Sequence, residues 1–301
     1  MDQETIPIYP AFKNFSLKDR NLIQGFLDQY QPMSCEYSFF NLFCWQKEYN
    51  FCFCIYKDRL LILDKKDNYF LMPLGKSLAP KELAELSQNM KQIGKACDIA
   101  LVPHEYLIGN PQIKKYYQEA PQKNSEEYIY LVKKLADLKG KKLQKKKNLI
   151  SQFKKKYPGL CITKIQGPLI KKSLVLAQNI LSTSKGPIES LQMEYAALKQ
   201  ALGIIDRSLM DGLAITVEGK LAAFSIFSCL TPSTYDIHFE KSDLSFKGAA
   251  QVINHETAKY LKDKCKFVNR EQDLGIKGLR QAKLSWEPHI LFKPFLLTFI
   301  Q

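Results

Sequence analysis

The sequence reads as a two-domain α/β protein, and three features lead there. Its 301 residues exceed the usual size of one domain. Helix-period and strand-period segments follow one another in the order helix, helix, strands, helix, strand, and that order comes twice. Between the two series lies a strongly basic stretch from Lys139 to Lys156. We expect an N-terminal domain over residues 1–135, a linking helix over 136–158 and a C-terminal domain over 159–301. No internal sequence repeat accompanies the repeated order.

In the first series, "SLKDRNLIQGFLDQY" has Ser16 as N-cap and Leu22, Ile23, Phe26 and Leu27 on one face. Ser34 caps a second helix carrying Phe39, Phe40, Phe43 and Trp45. "FCFCIYKDRLLILDKKDNYFLMPLG" gives three short strands that turn at Lys57–Asp58 and at 65–68. "APKELAELSQNMKQIGKA" is a helix with Pro80 in its first turn. In the basic stretch, Leu143, Ile150, Phe153 and Tyr157 share a helical face, and Pro158 ends the element. Its lysines form either a solvated face or an ordered patch for phosphates.

In the second series, "SLVLAQNILSTS" and "GPIESLQMEYAALKQALG" are helical, the latter stopped by Gly203. "GLAITVEGKLAAFSIFSCL" is a hairpin turning at 218–220, and "STYDIHFEKSD" a third strand. "KGAAQVINHETAKYLKDKC" is a helix, "KFVNREQDLG" a strand and "HILFKPFLLTFI" a final strand.

Composition narrows the function classes. A formal net charge of +14 favours polyanionic partners such as nucleic acid or anionic lipid. No run reaches the roughly 18 apolar residues of a membrane span, and the N-terminus lacks the charge pattern of a secretory signal. A cytoplasmic protein is expected. The eight cysteines show no CxxC pair. Cys52 and Cys54 are spaced too tightly for a standard zinc site, so buried thiols and no metal are expected. The four histidines show no ligand spacing; His238 reads as a core residue and His255 as pointing away from the apolar face of its helix.

The chemistry-bearing residues gather late in the chain. Glu256 falls near the apolar face of its helix and needs a partner, for which Arg270 or Arg280 is expected. It reads either as a structural ion pair or as a titrating group of the site. Arg270 and Glu271 alternate across a strand, whereas Glu271 and Asp273 share a face. Two carboxylates there suit a cationic ligand, or Lys277 and Arg280 nearby. Asp273 also suits the N-cap of a short helix over 278–283. Arg280 and Lys283, three apart, stand side by side and suit a phosphate or a terminal adenosine. Trp286 is either a core residue or a base-stacking platform.

The order of the second series resembles the GNAT acyltransferase fold. There the loop "EKSDLSFKGAAQVI" would cradle a pyrophosphate at Gly248, although the full glycine-rich coenzyme A signature is absent. Three blocks together, "EEYIYLVKKLADLKGKKLQKKKNLISQFKKKYP", "INHETA" and "FVNREQDLGIKGLRQAKLSW", resemble the phosphatidylglycerol lysyltransferase C-terminal domain family. That resemblance implies two tandem GNAT-like domains with mixed central sheets, related to Fem-type transferases that use aminoacyl-tRNA. It implies an acyltransferase drawing on an aminoacyl-tRNA donor, with CoA-thioester-dependent N-acyl transfer or a silent anion-binding fold as the alternatives. Peripheral contact with anionic lipid is also compatible with it. No cofactor beyond such a donor is expected. The site residues it implies are Glu256, Glu271, Asp273 and Arg280 as catalytic. Asn269, Arg270, Gly275, Gly278, Lys283, Tyr128 and Tyr130 would bind substrate. Lys139, Lys141, Lys142, Lys145, Lys146, Lys147, Asn148 and Gly248 would bind phosphate or nucleic acid.

Overall fold

The computed structural model describes residues 6–183, 187–205 and 209–300. The elements of the first part are β1 (Lys13–Asn14), α1 (Arg20–Tyr30), α2 (Phe39–Tyr49), β2 (Cys52–Tyr56), β3 (Arg59–Asp64) and β4 (Tyr69–Leu71). They continue with α3 (Pro80–Gln92), β5 (Ile99–Val102), α4 (His104–Gly109) and β6 (Tyr117–Pro121). Then come β7 (Glu127–Leu131), α5 (Val132–Asp137), α6 (Gln144–Lys156), β8 (Cys161–Lys164), α7 (Pro168–Thr183) and α8 (Ile188–Ile205). The chain ends with β9 (Asp211–Val217), β10 (Lys220–Thr231), β11 (Thr234–Ser242), α9 (Ala249–Leu261), β12 (Phe267–Gln272), α10 (Lys277–Leu284), β13 (Ile290–Phe292) and β14 (Phe295–Phe299). Ser184 and Gly186, at the ends of two expected helices, lie outside the described residues.

These elements build two mixed seven-stranded sheets, ordered β1-β2-β3-β4-β5-β14-β6 and β13-β7-β12-β11-β10-β9-β8. Each combines an antiparallel meander with a parallel pair reached through a helix: β4 with β5 across α3, and β11 with β12 across α9. This is the GNAT-like α/β order in each half. Parallel strands require such a crossover, so the helix follows from the pairing.

The compact units are Met1–Glu127 with Gln272–Gly275 and Leu291–Gln301, and Tyr128–Glu271 with Ile276–Ile290. The expected final strand is therefore two. β13 joins the second sheet, and β14 pairs β5 and β6 in the first. Pro294 separates them, because it has no N–H to continue a ladder; its carbonyl accepts from Gln122 N–H at 2.9 Å.

The first unit buries Cys54, Leu61, Phe70, Leu83, Leu86, Ile99 and Leu297 in one cluster. Ser16 opens a single tight turn before α1, its N–H donating to Asp19 Oδ2 at 2.8 Å. Ser34 likewise caps a short turn over Cys35–Tyr37 rather than α2 itself. In the second unit α8 runs through Gly203 to Ile205, since Ile204 and Ile205 are buried and packing outweighs the glycine's low propensity.

The basic stretch is not one helix. Leu138 and Gly140 adopt positive φ (49° and 113°), which breaks the chain between α5 and α6. Lys139, Lys141 and Lys142 precede α6, whereas Lys145, Lys146 and Lys147 lie on it. Leu143, Ile150 and Phe153 are buried, each contributing roughly 2 kcal/mol. That anchoring makes α6 a docked element. No described helix is long and apolar enough to cross a membrane.

Candidate functional site

In the second unit, β11 and β12 pair at only three positions, Thr234↔Phe267, Tyr235↔Val268 and Asp236↔Asn269. Beyond them β11 continues to Ser242 and β12 to Gln272 with no further pairing to each other among the described residues. Glu271 has a φ of 57°, a conformation that interrupts an extended strand. The strands part into a V, and polar side chains occupy both faces of it.

One face is cationic and aromatic. Arg270 Nη2 donates to Glu240 Oε1 at 2.8 Å across the V. Asn254 of α9, its amide oxygen assigned toward the guanidinium, accepts from Arg270 at 2.5–3.2 Å. Burial holds the Glu240 carboxyl above its ordinary value, and Arg270 offsets part of that rise. The guanidinium carbon lies 5.9 Å from the ring centre of Tyr130 and 6.0 Å from that of Trp286. Lys146 of α6 places its ammonium 5.0 Å from the same Trp286 ring. Lys283 is buried, donating to the carbonyls of Arg270 and Glu271 at 2.5 and 3.0 Å, and lies over Tyr128. Tyr130 Oη donates to the Lys283 carbonyl at 2.8 Å.

The other face is acidic. Ser228 Oγ and His238 Nε2 are 2.7 Å apart, while His238 Nδ1 faces Asp236 Oδ2 at 3.4 Å and Glu271 Oε1 at 3.5 Å. Carboxylates only accept, so Nδ1 is assigned a proton. Asn269 is buried and its Oδ1 accepts from Glu271 N–H at 2.8 Å, fixing the turn of the strand. Asp236 is fully buried, and the Glu271 side chain is 21% exposed. Glu271 is thus the member of this group that reaches solvent.

The structure brings Asn269, Arg270, Glu271, Lys283, Tyr128, Tyr130 and Lys146 to this V, and separates others from it. Glu256 meets neither Arg270 nor Arg280. It accepts from Lys154 at 2.6 Å and Lys259 at 3.1 Å, with His255 Nδ1 at 3.5 Å, and so ties α9 to α6. The reason is geometric: α6 packs against the side of α9 that carries Glu256, and Lys154 has the reach. His255 does not point to solvent, since its Nε2 lies 2.9 Å from the carbonyl of Ala136.

Asp273 and Gly275 belong to the first unit. Asp273 is buried, and its Oδ1 accepts from Gly275 N–H at 2.8 Å, whereas Ile276 takes the N-cap of α10. Gly275 has a φ of 77°, and a Cβ there would stand 2.8 Å from Asn124 Oδ1. Lys283 is committed to carbonyls, so it does not pair with Arg280 as a phosphate grip. Arg280 is half-buried, and Gly278 is exposed on α10. Trp286 is a core residue, 5% exposed.

Among the lysines, Lys142 pairs with Glu287 at 3.3 Å and Lys139 with Asp137 at 3.7 Å. Lys141, Lys145 and Lys147 are exposed, and exposed Asn148 accepts from Gln144 at 2.9 Å. Gly248 has a φ of 100°, but the space its missing Cβ leaves is bordered by Leu149 O at 3.4 Å and Phe153 at 3.5 Å. That glycine accommodates α6 rather than a pyrophosphate.

Asp236 and Ser228 escaped the sequence reading, and His238, expected in the core, is buried there beside them. The available signal was polar residues at core positions of two apolar strands, "AAFSIFSCL" and "TYDIHFE".

Comparisons bear on the whole chain. Residues 27–297 match the family described as phosphatidylglycerol lysyltransferase, C-terminal. A conserved protein of unknown function from Bacteroides thetaiotaomicron superposes with a TM-score of 0.88 at 29% identity, covering 98% of this chain and 100% of that one. L-PGS from Bacillus licheniformis shares the fold, with a TM-score of 0.65 at 14% identity over 93% of this chain and 91% of its own. An uncharacterised protein of Mycoplasmoides gallisepticum is 23% identical over 62% of this chain, a match spanning 60% of that relative.

Proposed function

Because the chain belongs to the phosphatidylglycerol lysyltransferase C-terminal family, we propose that it is an aminoacyl-tRNA-dependent acyltransferase whose chemistry takes place in the V between β11 and β12. The observation that carries this reading is the pairing of a partly exposed carboxylate, Glu271, with a buried Asp236–His238–Ser228 group at the point where the sheet opens. An aminoacyl ester is already activated. The protein has to orient the acceptor, take its proton and accommodate the charge that develops on the carbonyl oxygen.

Glu271 takes the acceptor's proton. His238 presents Nδ1–H to it and keeps the carboxylate in place, while Asn269 holds the backbone that carries it. Exposed Lys145 and Lys147, carried by the anchored helix α6, meet the tRNA backbone.

The test combines binding and transfer. Affinity for an aminoacyl-tRNA mixture falls with salt, and replacing Lys145 and Lys147 by Ala lowers the log–log slope by about 0.7–0.9 per lost phosphate contact. An unchanged slope removes α6 from the contact. Glu271→Gln lowers transfer of radiolabelled amino acid from tRNA by on the order of 100-fold while leaving tRNA binding intact. Wild-type transfer rates in that variant, or no transfer by the wild type with any charged tRNA, would overturn the reading.

A further inference from the structure

Trp286 is flanked by two cations. Lys146 Nζ lies 5.0 Å and Arg270 Cζ 6.0 Å from its ring centre. Arg270 is met by Glu240. Lys146 has no ion-pair partner among the described residues, although Lys142 and Lys154 on either side of it have theirs. It is half-buried, whereas Lys145 and Lys147 are exposed. Buried Lys283 adds a third cation, its ammonium resting on the carbonyls of Arg270 and Glu271. At this ring two cations, Lys146 and Arg270, therefore face one carboxylate, Glu240, inside a partly dry site. Burial first, and the nearby guanidinium second, push the Lys146 ammonium below its ordinary pKa. An ammonium kept half-desolvated beside a second cation costs free energy, and a bound anion relieves that cost.

We propose that Lys146 and Arg270, above Trp286, form a binding site for a phosphoryl group at the mouth of the V. A phosphate anion matches the local excess of positive charge. Its tetrahedral oxygens can accept from the point-like ammonium and from the guanidinium N–H that Glu240 and Asn254 leave over. The site deepens the transferase reading by naming a group held beside Glu271, and rests on that reading only for what the phosphate belongs to. A nucleotide and a phospholipid headgroup both present this chemistry.

The chain has two tryptophans, Trp45 and Trp286. In a Trp45→Phe background, emission therefore reports Trp286 alone. Titration with inorganic phosphate at constant ionic strength is expected to give a saturable change, with a Kd on the order of 1 mM. In that background Lys146→Ala and Arg270→Lys weaken phosphate at least tenfold, while Lys155→Ala, at an exposed position of α6, titrates unchanged. Lys146→Ala also melts no lower than its parent without phosphate and loses the phosphate-induced rise in Tm, which separates binding from misfolding.

Adenosine 5′-monophosphate binding tighter than inorganic phosphate assigns the site to a nucleotide. Glycerol 3-phosphate binding tighter assigns it to a lipid headgroup. No saturable response overturns the proposal, as does acetate binding as tightly as phosphate, a wild-type titration in Lys146→Ala, or an equal loss in Lys155→Ala. The titration needs no transfer activity, so its failure leaves the Glu271→Gln assay to decide the reaction separately.

Discussion

Replacing Glu256 with Gln tests what fastens the basic helix. Burial alone would raise this carboxyl, but donors from His255, Lys154 and Lys259 outweigh it and hold the pKa at about 2 against an ordinary 4.5. At about 1.4 kcal/mol per unit, the full shift corresponds to roughly 3 kcal/mol. The Lys154 and Lys259 side chains are 38% and 51% exposed, and solvent screening brings the contribution to about 2 kcal/mol. A folded-state pKa below the unfolded one contributes stability that is present above pH 4.5 and is lost as pH falls toward 2. Urea unfolding of wild type and Glu256→Gln, compared at each pH, should show a gap of about 2 kcal/mol at pH 7 that narrows by about half near pH 3. A gap under about 0.5 kcal/mol at pH 7, or one that stays constant to pH 3, would refute the argument.

Three further outcomes follow from the geometry. Arg270→Ala leaves Glu240 buried without its cation and should cost about 3 kcal/mol in urea unfolding, with Arg270→Ala/Glu240→Gln recovering more than half; equal losses would show that the pair is not coupled. Gly248→Ala forces a side chain to a φ of 100° with Leu149 O 3.4 Å away, and should lower stability by about 1–2 kcal/mol; an unchanged denaturation midpoint would contradict this. Burial raises Asp64 to about 6 from 3.8, so its favourable contribution is complete below pH 3.8 and is lost as pH rises through 6. Asp64→Asn, which keeps an acceptor for Lys66 and Asp67 N–H, should therefore be more stable than wild type by about 1–2 kcal/mol at pH 8, the gap closing by pH 4; a gap independent of pH would sink that account.

The local elements were legible in the sequence because their determinants are local. The hairpin turn at Glu218–Gly219, with φ of 51° and 76°, follows from glycine's freedom and the apolar alternation on either side. Pro80 at the start of α3 and the apolar face of α6 are likewise short-range signals. Strand alternation correctly put Arg270 and Glu271 on opposite sides of β12, one toward Glu240 and the other toward His238. The partner of Glu256 was not legible, because Lys154 lies 102 residues away and periodicity carries no information about which helix packs alongside.

By itself the sequence determined the element types, the mixed α/β class, the family resemblance later matched over residues 27–297, and the concentration of polar residues after Lys266. Tertiary structure alone decided that β14 completes the first sheet, that Asp273 and Gly275 belong to the first unit, and that Lys283 is spent on backbone carbonyls. It alone decided that Lys146, Arg270 and Trp286 converge, and that Ser228, Asp236 and His238 form one buried polar group behind Glu271. The reason is physical: dihedral preference and hydrophobic period act over a few residues. The pKa values, ion pairs and cleft of this protein arise instead from burial and from charges brought together across long stretches of chain.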